Sequence, residues 1–277
     1  MKFGAHVSAA GSLWNAPVNA AAIGCETFQF FSRAPQGGIP SPITDEVAGK
    51  FRSACAEHGF DECWIHAPYI INFASAEERI RDGSIKIIRQ ELERGSALGV
   101  RGVMFHPGSA KDVSPEKALD LVAEGLKLVL DGYRGDCRPL IEISAGAGRV
   151  IGSSFEEVAE ILKQLDDERV GVCFDTAHAF ASGYDLRDAA AVKATFDAFD
   201  RAIGLERLAL SHCNDSKVEL GARKDRHEGL GAGHIGLSGF QALLAEPRLK
   251  NLSWIVETPP ESQASDVKKL GQLRAAF

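Results

Sequence analysis

No run of apolar residues in this sequence approaches the ~18 that a membrane-crossing helix needs. The N-terminus lacks the apolar segment of a signal peptide and enters a strand pattern over residues 2–7, so a cytoplasmic location is expected. Cysteine is sparse and dispersed: Cys25, Cys55, Cys63, Cys137, Cys173 and Cys213 form no CxxC pair and no dense framework. That pattern excludes a disulfide scaffold and leaves reduced thiols in a core. Cys213, between His212 and Asn214, would point away from His212 by strand alternation. Pro/Gly-rich linkers and low-complexity tracts are missing, so nothing marks a domain boundary. Positive charge is in deficit, and a formal net charge of −7 speaks against a nucleic-acid partner unless bound cations change the balance.

What is present is an unbroken alternation of short β-rich runs and amphipathic segments. Strands are read at 2–7, 27–32, 63–68, 100–105, 139–143, 170–174, 208–212 and 252–257. Helices are read at 13–23, 44–59, 77–98, 114–130, 154–165, 187–203, 237–244 and 265–276. The punctuation agrees: Gly24, Gly59 and Gly99 stop helices, while Ser114, Pro115 and Glu116 start one with a cap and a proline in its first turn. About eight strand–helix units with short connections specify a (β/α)8 TIM barrel, because parallel strands need crossover helices and closure removes the sheet edges. Barrels run to about 250 residues as one unit, so 1–277 is read as a single domain. A doubly wound open sheet, the alternative, would leave the late strands at an exposed edge.

Candidate chemistry sits where the strands end. Val170 to Phe174 is a buried-strand pattern, and Asp175 and His178 follow at once. Taken alone, Asp175 could simply cap a helical turn and His178 pack locally. The arrangement recurs, however, with His66 after strand three, His106 after four, Glu142 in five, His212 after seven and Glu257 at the end of eight. The strand-seven loop adds Asp225 and His227 in KDRHEG. Burying so many ionisable groups without compensation would cost several kcal/mol per charge, so a cation is expected among them. Imidazole and carboxylate without thiolate suit zinc, manganese or iron. Nine donors exceed the needs of one tetrahedral ion, and two or three ions sharing a bridging carboxylate would suit displacement at phosphorus.

These motifs resemble the endonuclease IV family of abasic-site DNA-repair enzymes along essentially the whole chain: GAHVSAAGS, HAPYIINFAS, FHPGS, IEISAGAG, FDTAHAFASGYD, HCNDSK, DRHEGLGAGHIG and VETP. The resemblance implies a TIM barrel with three zinc ions that hydrolyses the phosphodiester 5′ to an abasic site and leaves a 3′-hydroxyl. Carried over by motif, His66, His106 and Glu142 would hold one zinc. Glu142 would bridge to a second with Asp175, His212 and Glu257, and His178, Asp225 and His227 would hold the third. A hydroxide shared by two zincs and held by the bridging Glu142 would be the nucleophile, with no protein general base. Six charges from three Zn²⁺ would bring the formal −7 to about −1 and make the rim locally positive.

The same resemblance makes duplex DNA the expected partner of a monomer. Tyr69 and Ile70 match side chains that wedge into the duplex beside a flipped-out abasic nucleotide, Ile70 otherwise belonging to the core. Arg33, Lys217, Arg223, Lys224 and Arg226 are read as rim residues facing phosphates, or else solvated loop charges. Departures from the family pattern are Gln36 and Gly38, where a basic residue and an aromatic are common, Ile143 and Ser144 in place of Asn and Thr, and Ala147 in place of Gln. Normal metal loading with weaker DNA affinity is therefore expected. Gly231, Gly233 and Gly236 spell GxGxxG but follow a charged, irregular stretch, which excludes a dinucleotide fingerprint and suggests a loop behind His227. His6 is read as core in preference to a supporting role at the metals, and His58 as a helix C-terminal cation. Rival readings are a metal-dependent sugar isomerase or epimerase on the same barrel, and a non-catalytic lesion-binding protein that holds zinc.

Overall fold

The computed structural model describes residues 1–275. Eight parallel strands close into a barrel: β1 (Lys2–His6), β2 (Thr27–Phe30), β3 (Trp64–His66), β4 (Gly102–Phe105), β5 (Arg138–Glu142), β6 (Gly171–Asp175), β7 (Leu208–His212) and β10 (Ser253–Val256), with β10 pairing both β1 and β7. The open-sheet alternative is thereby excluded. The crossovers are α1 (Asn15–Ala22), α2 (Asp45–Glu57), α3 (Glu78–Leu98), α4 (Pro115–Leu130), α5 (Phe155–Leu165), α7 (Ala189–Ala202), α8 (Gly236–Ala245) and the closing α9 (Pro260–Arg274). Several start at side-chain caps: Thr44, Ser114, Ser154 and Asp188 each accept from a backbone N–H three residues on. Among the described residues no helix is long and apolar enough to cross a membrane.

Boundaries differ from the sequence expectation by a few residues. The last helix begins at Pro260, whose fixed φ suits a first helical position, and not at Ser265. Ala276, its expected end, lies outside the described residues. Two elements were not expected: α6 (Thr176–Ala181), immediately after β6, and a hairpin of β8 (Asp215–Ser216) with β9 (His227–Glu228) in the loop after β7.

Strand alternation divides the core in two. Outward residues such as Phe28, Phe30, Ile65, Phe105, Ile141, Val172 and Val256 join the helices in one large apolar cluster. Inward residues Trp64, Met104, Leu140, Cys173, Leu210 and Ile255 form a separate plug at the floor of the barrel interior. Two positions further along the same six strands stand His66, His106, Glu142, Asp175, His212 and Glu257. Period-two geometry therefore places these donors as the next inward layer, directly above the apolar plug. The remaining strands continue that layer with His6 and Gln29, which are register partners. A Cβ on Gly4 would lie 1.8 Å from the Thr27 carbonyl oxygen, so only glycine allows β1 and β2 to approach as they do.

Candidate metal centre

The polar layer opens into a cavity of about 990 Å³ lined by His6, His66, His106, Glu142, His178, Asp225, His227 and Glu257, with Tyr69 and the 31–35 loop at its wall. Three groups of donors lie close enough to hold an ion each: His66, His106 and Glu142; Glu142, Asp175, His212 and Glu257; and Asp175, His178 and His227. Glu142 and Asp175 are shared between groups, as bridging carboxylates would be.

Glu142 sits at the centre. Its Oε1 lies 2.9 Å from His212 Nδ1, while Oε2 is enclosed, has no hydrogen-bond partner among the described residues, and faces His66 Nε2 and His106 Nε2 at 3.5 Å each. His66 turns its other nitrogen to the Ala67 carbonyl at 2.7 Å, which directs Nε2 inward. Around His212 Nδ1 three carboxylates converge: Glu142, Glu257 at 3.2 Å and Asp175 at 3.6 Å. In the third group His178 Nε2 and His227 Nε2 are 3.3 Å apart, and Asp175 Oδ2 lies 3.7 Å from His227 Nε2. The expected Asp225 is outside that group but brings Oδ1 to 3.2 Å from His178 Nε2 and 3.3 Å from His227 Nε2. With metal–nitrogen bonds of about 2.0–2.1 Å, the edge of a tetrahedron is about 3.3–3.4 Å, so this triangle has the size of one coordination face. Two imidazole nitrogens facing each other at that distance, together with an orphaned buried carboxylate oxygen, fit divalent cations.

Local structure aims these groups. Asp175 both caps α6, accepting from the His178 N–H at 2.8 Å, and presents Oδ2 to the site. The capping and site readings of Asp175 are thus compatible. His178 is held by its Nδ1 contact to the Ile143 carbonyl at 3.0 Å, a backbone partner that the Ile143 side chain, turned into the core, leaves untouched. Asp215 organises the glycine motif: its carboxylate accepts from the backbone N–H groups of Gly231, Gly233, Ile235 and Gly236, holding the loop behind His227. That geometry makes GxGxxG a turn around an internal anion, not a nucleotide cradle.

Electrostatics follow the crowding. Burial alone would raise Glu142, yet His106, His212 and His178 hold it well below the usual carboxylate range. Burial disfavours charge on His178 and His212 as well, but the surrounding acidic groups, Asp175 and Asp225 for the former and Cys173, Glu257 and Glu142 for the latter, raise both well above the ordinary histidine value. His6 is the opposite case, with burial lowering it to about 3.

Two sequence expectations are corrected. Arg33 is not a free rim cation: its guanidinium is buried, with Nε 2.5 Å from Glu91 Oε1 on α3 and Nη2 3.1 Å from Gln90 Oε1. The buried carboxylate, invisible from the loop sequence, draws it inward. His6 is no core residue, since it lines the cavity and its Nδ1 lies 2.9 Å from Gln29 Nε2. Tyr69, in the cavity wall, and the following Ile70 are 66% and 48% exposed, so Ile70 is no core residue either. Lys217, Arg223, Lys224 and Arg226 are solvent-facing or nearly so in the β8–β9 loop, with Asp225 53% exposed among them. Unanticipated were Gln29, which contacts His212, Glu257 and His6, and Asn214, which donates to Asp175 and Glu257. An uncharged polar residue inside the fully buried strand TFQF was the available signal for the first.

Residues 18–274 match the family model described as a xylose isomerase-like TIM barrel. A protein of Halorhodospira halophila named probable endonuclease 4 is 40% identical over 271 residues, covering 96% of this chain and 91% of that protein. The chain belongs to the endonuclease IV family. The crystal structure of endonuclease IV from Thermus thermophilus superposes with a TM-score of 0.89 at 34% identity, covering 100% of both chains. A D-tagatose 3-epimerase-like protein shares the barrel at a TM-score of 0.76 but only 21% identity, a likeness of fold alone. Sugar epimerases and this endonuclease IV member thus use one scaffold, and the site must distinguish them.

Proposed function

We propose that this protein cleaves DNA at abasic sites, hydrolysing the phosphodiester 5′ to the lesion and leaving a 3′-hydroxyl, with three zinc ions held by nine residues. One observation carries the reading: an enclosed, unpartnered oxygen of Glu142 facing two imidazoles at the centre of three donor groups that share carboxylates. Membership of the endonuclease IV family supplies the substrate class.

His66, His106 and Glu142 would hold one ion, Glu142, Asp175, His212 and Glu257 a second, and His178, Asp225 and His227 a third. Bound divalent cations supply Lewis-acid charge to a phosphate and lower the pKa of water toward neutrality. The chain does the rest. Glu142 spans two of the groups and fixes their separation. Asp225 and His227, carried on the β8–β9 hairpin, bring the third group to the open side of the cavity where a phosphate would arrive. Tyr69 and Ile70 occupy the space left by an extruded nucleotide, whose lack of a base makes its removal from the stack inexpensive. Lys217, Arg223, Lys224 and Arg226 offer contacts to flanking phosphates.

A duplex carrying one abasic analogue tests this directly. The protein should nick the lesion strand once, on the 5′ side, lose that activity with a chelator and regain it on adding zinc. An uncut duplex in the presence of fully loaded protein would overturn the proposal, and a gel shift without cutting would point to a lesion-binding protein.

A further inference from the structure

Gln29 contacts three groups of the polar layer, and the chemistry of one fixes the other two. Glu257 Oε1, 2.8 Å from the Gln29 amide, only accepts while ionised, so the atom facing it must be the NH₂ nitrogen. The amide oxygen then faces His212 Nε2 at 2.8 Å, which must carry a proton, so Nδ1, amid Glu142, Asp175 and Glu257, is the one nitrogen of His212 left to a cation once its own proton is displaced. The second amide hydrogen points to His6 Nδ1 at 2.9 Å, which must accept. His6 therefore carries its proton on Nε2. That nitrogen has no hydrogen bond within the described residues, and His6 lines the cavity beside His66 and Phe31, its ring 4.4 Å from that of Phe31.

We infer that His6 is a substrate-binding residue that donates its Nε2–H to an oxygen of the bound strand, phosphate or deoxyribose, and that Gln29 is the positioning residue setting the tautomers of His6 and His212 together. This rests on the proposed nuclease reading for the identity of the strand, but not for the tautomers. A neutral donor suits the place: a second imidazolium would repel the neighbouring cations, whereas a neutral N–H adds a bond without adding charge.

His6→Phe keeps the aromatic contact and removes the donor, while His6→Gln keeps a donor near Nε2. On abasic duplex, His6→Phe should raise KM or lower kcat/KM by roughly ten- to a hundredfold with metal content unchanged and Tm lowered only as far as the lost Gln29–His6 bond accounts for, and His6→Gln should recover most of the kinetic loss. Gln29→Leu, of similar volume, should cost roughly 10–100-fold in zinc affinity by elemental analysis against a competing chelator. Nitrogen-15 spectra of the loaded protein should show His6 protonated on Nε2 only, with that signal shifting on adding inorganic phosphate. His6 protonated on Nδ1, or an unmoved signal together with wild-type kinetics in His6→Phe, would overturn the inference. If wild-type protein leaves abasic duplex intact, the nuclease reading fails alone, and the tautomer and phosphate shift still decide the role of His6.

Discussion

Removing the Glu91 carboxylate should destabilise the fold by about 3–4 kcal/mol, a large share of the total for a domain. Glu91 is fully buried on α3 and holds Arg33 Nε and Ser32 Oγ at 2.5 Å each, with Arg94 Nε at 3.7 Å. Glu91→Ala strands two buried guanidiniums. Arg94 keeps the carbonyls of Ser32 and Ser41, but Arg33 keeps only the Gln90 amide, so most of the cost falls on Arg33. An exposed pair such as Lys50–Glu46 contributes far less, because water screens both charges. Urea unfolding of Glu91→Ala, Arg33→Met and the double variant provides the assay. Each single change should cost about 3–4 kcal/mol and the double clearly less than their sum, since no lone charge remains. Because Arg33 is committed to Glu91, Arg33→Met should leave the salt slope of DNA binding unchanged, whereas Lys217→Ala and Arg226→Ala should each reduce it by about one. A Glu91→Ala protein within about 1 kcal/mol of wild type, or a full unit of slope lost in Arg33→Met, would refute the reasoning.

Four further outcomes are expected. His66→Ala or Glu257→Gln should lower turnover by at least about a hundredfold with the circular dichroism spectrum retained, and unchanged rates would remove those residues from the site. In metal-free protein, protonation of His178 and His212 stabilises the fold fully below the ordinary histidine value of about 6.5 and is lost as pH rises through their elevated values. Zinc competes with those protons, so the Tm gained on adding it should grow with pH above about 6.5, and a flat or falling gain in paired melts with and without chelator would contradict this. Asp215→Ala strips the acceptor from five backbone N–H groups and should cost about 2–4 kcal/mol, with loss of roughly one metal equivalent by elemental analysis as His227 is released. Gln36→Arg, adding a charge on the exposed loop beside Gly37 and Ile70, should tighten binding to abasic duplex and steepen its salt dependence by about one, measured by fluorescence anisotropy.

The barrel is legible because six of its eight strands announce themselves twice, by an apolar run and by the donor at the end of it. Alternation goes further than that reading takes it. Counting two positions back from His66, His106, Glu142, Asp175, His212 and Glu257 lands on the floor plug in every case, and the same count along TFQF makes Gln29 an inward residue. Gln29 escapes a sequence reading because a single amide carries no chemical signature and because its partners lie on other strands. Arg33 could not be placed from its own loop. Its direction depends on Glu91, 58 residues away on a helix, and nothing in SRAPQGG encodes that pairing. The hairpin of β8 and β9 is two residues a side, too short for any periodicity, and is held by the Asp215 carboxylate.

The polar layer also explains how the chain can close before any cation arrives. Nine ionisable groups above an apolar plug would be prohibitive if all the carboxylates were charged and unpartnered. In the metal-free chain the imidazoles share that burden unequally. Burial pushes His6 and His106 toward the neutral form, whereas Glu142, Asp175, Asp225 and Glu257 push His66, His178 and His212 toward the protonated form despite it. Positive charge drawn onto His178 and His212 offsets part of the charge of the four carboxylates. The nitrogens that hold those protons include the ones that face the carboxylates, His66 Nε2 toward Glu142, His178 Nε2 toward Asp225 and His212 Nδ1 toward Glu142 and Glu257. Protons therefore occupy the positions that cations would take, and loading is an exchange of one positive charge for another within a layer whose geometry is already set by Gln29, Asn214 and the backbone.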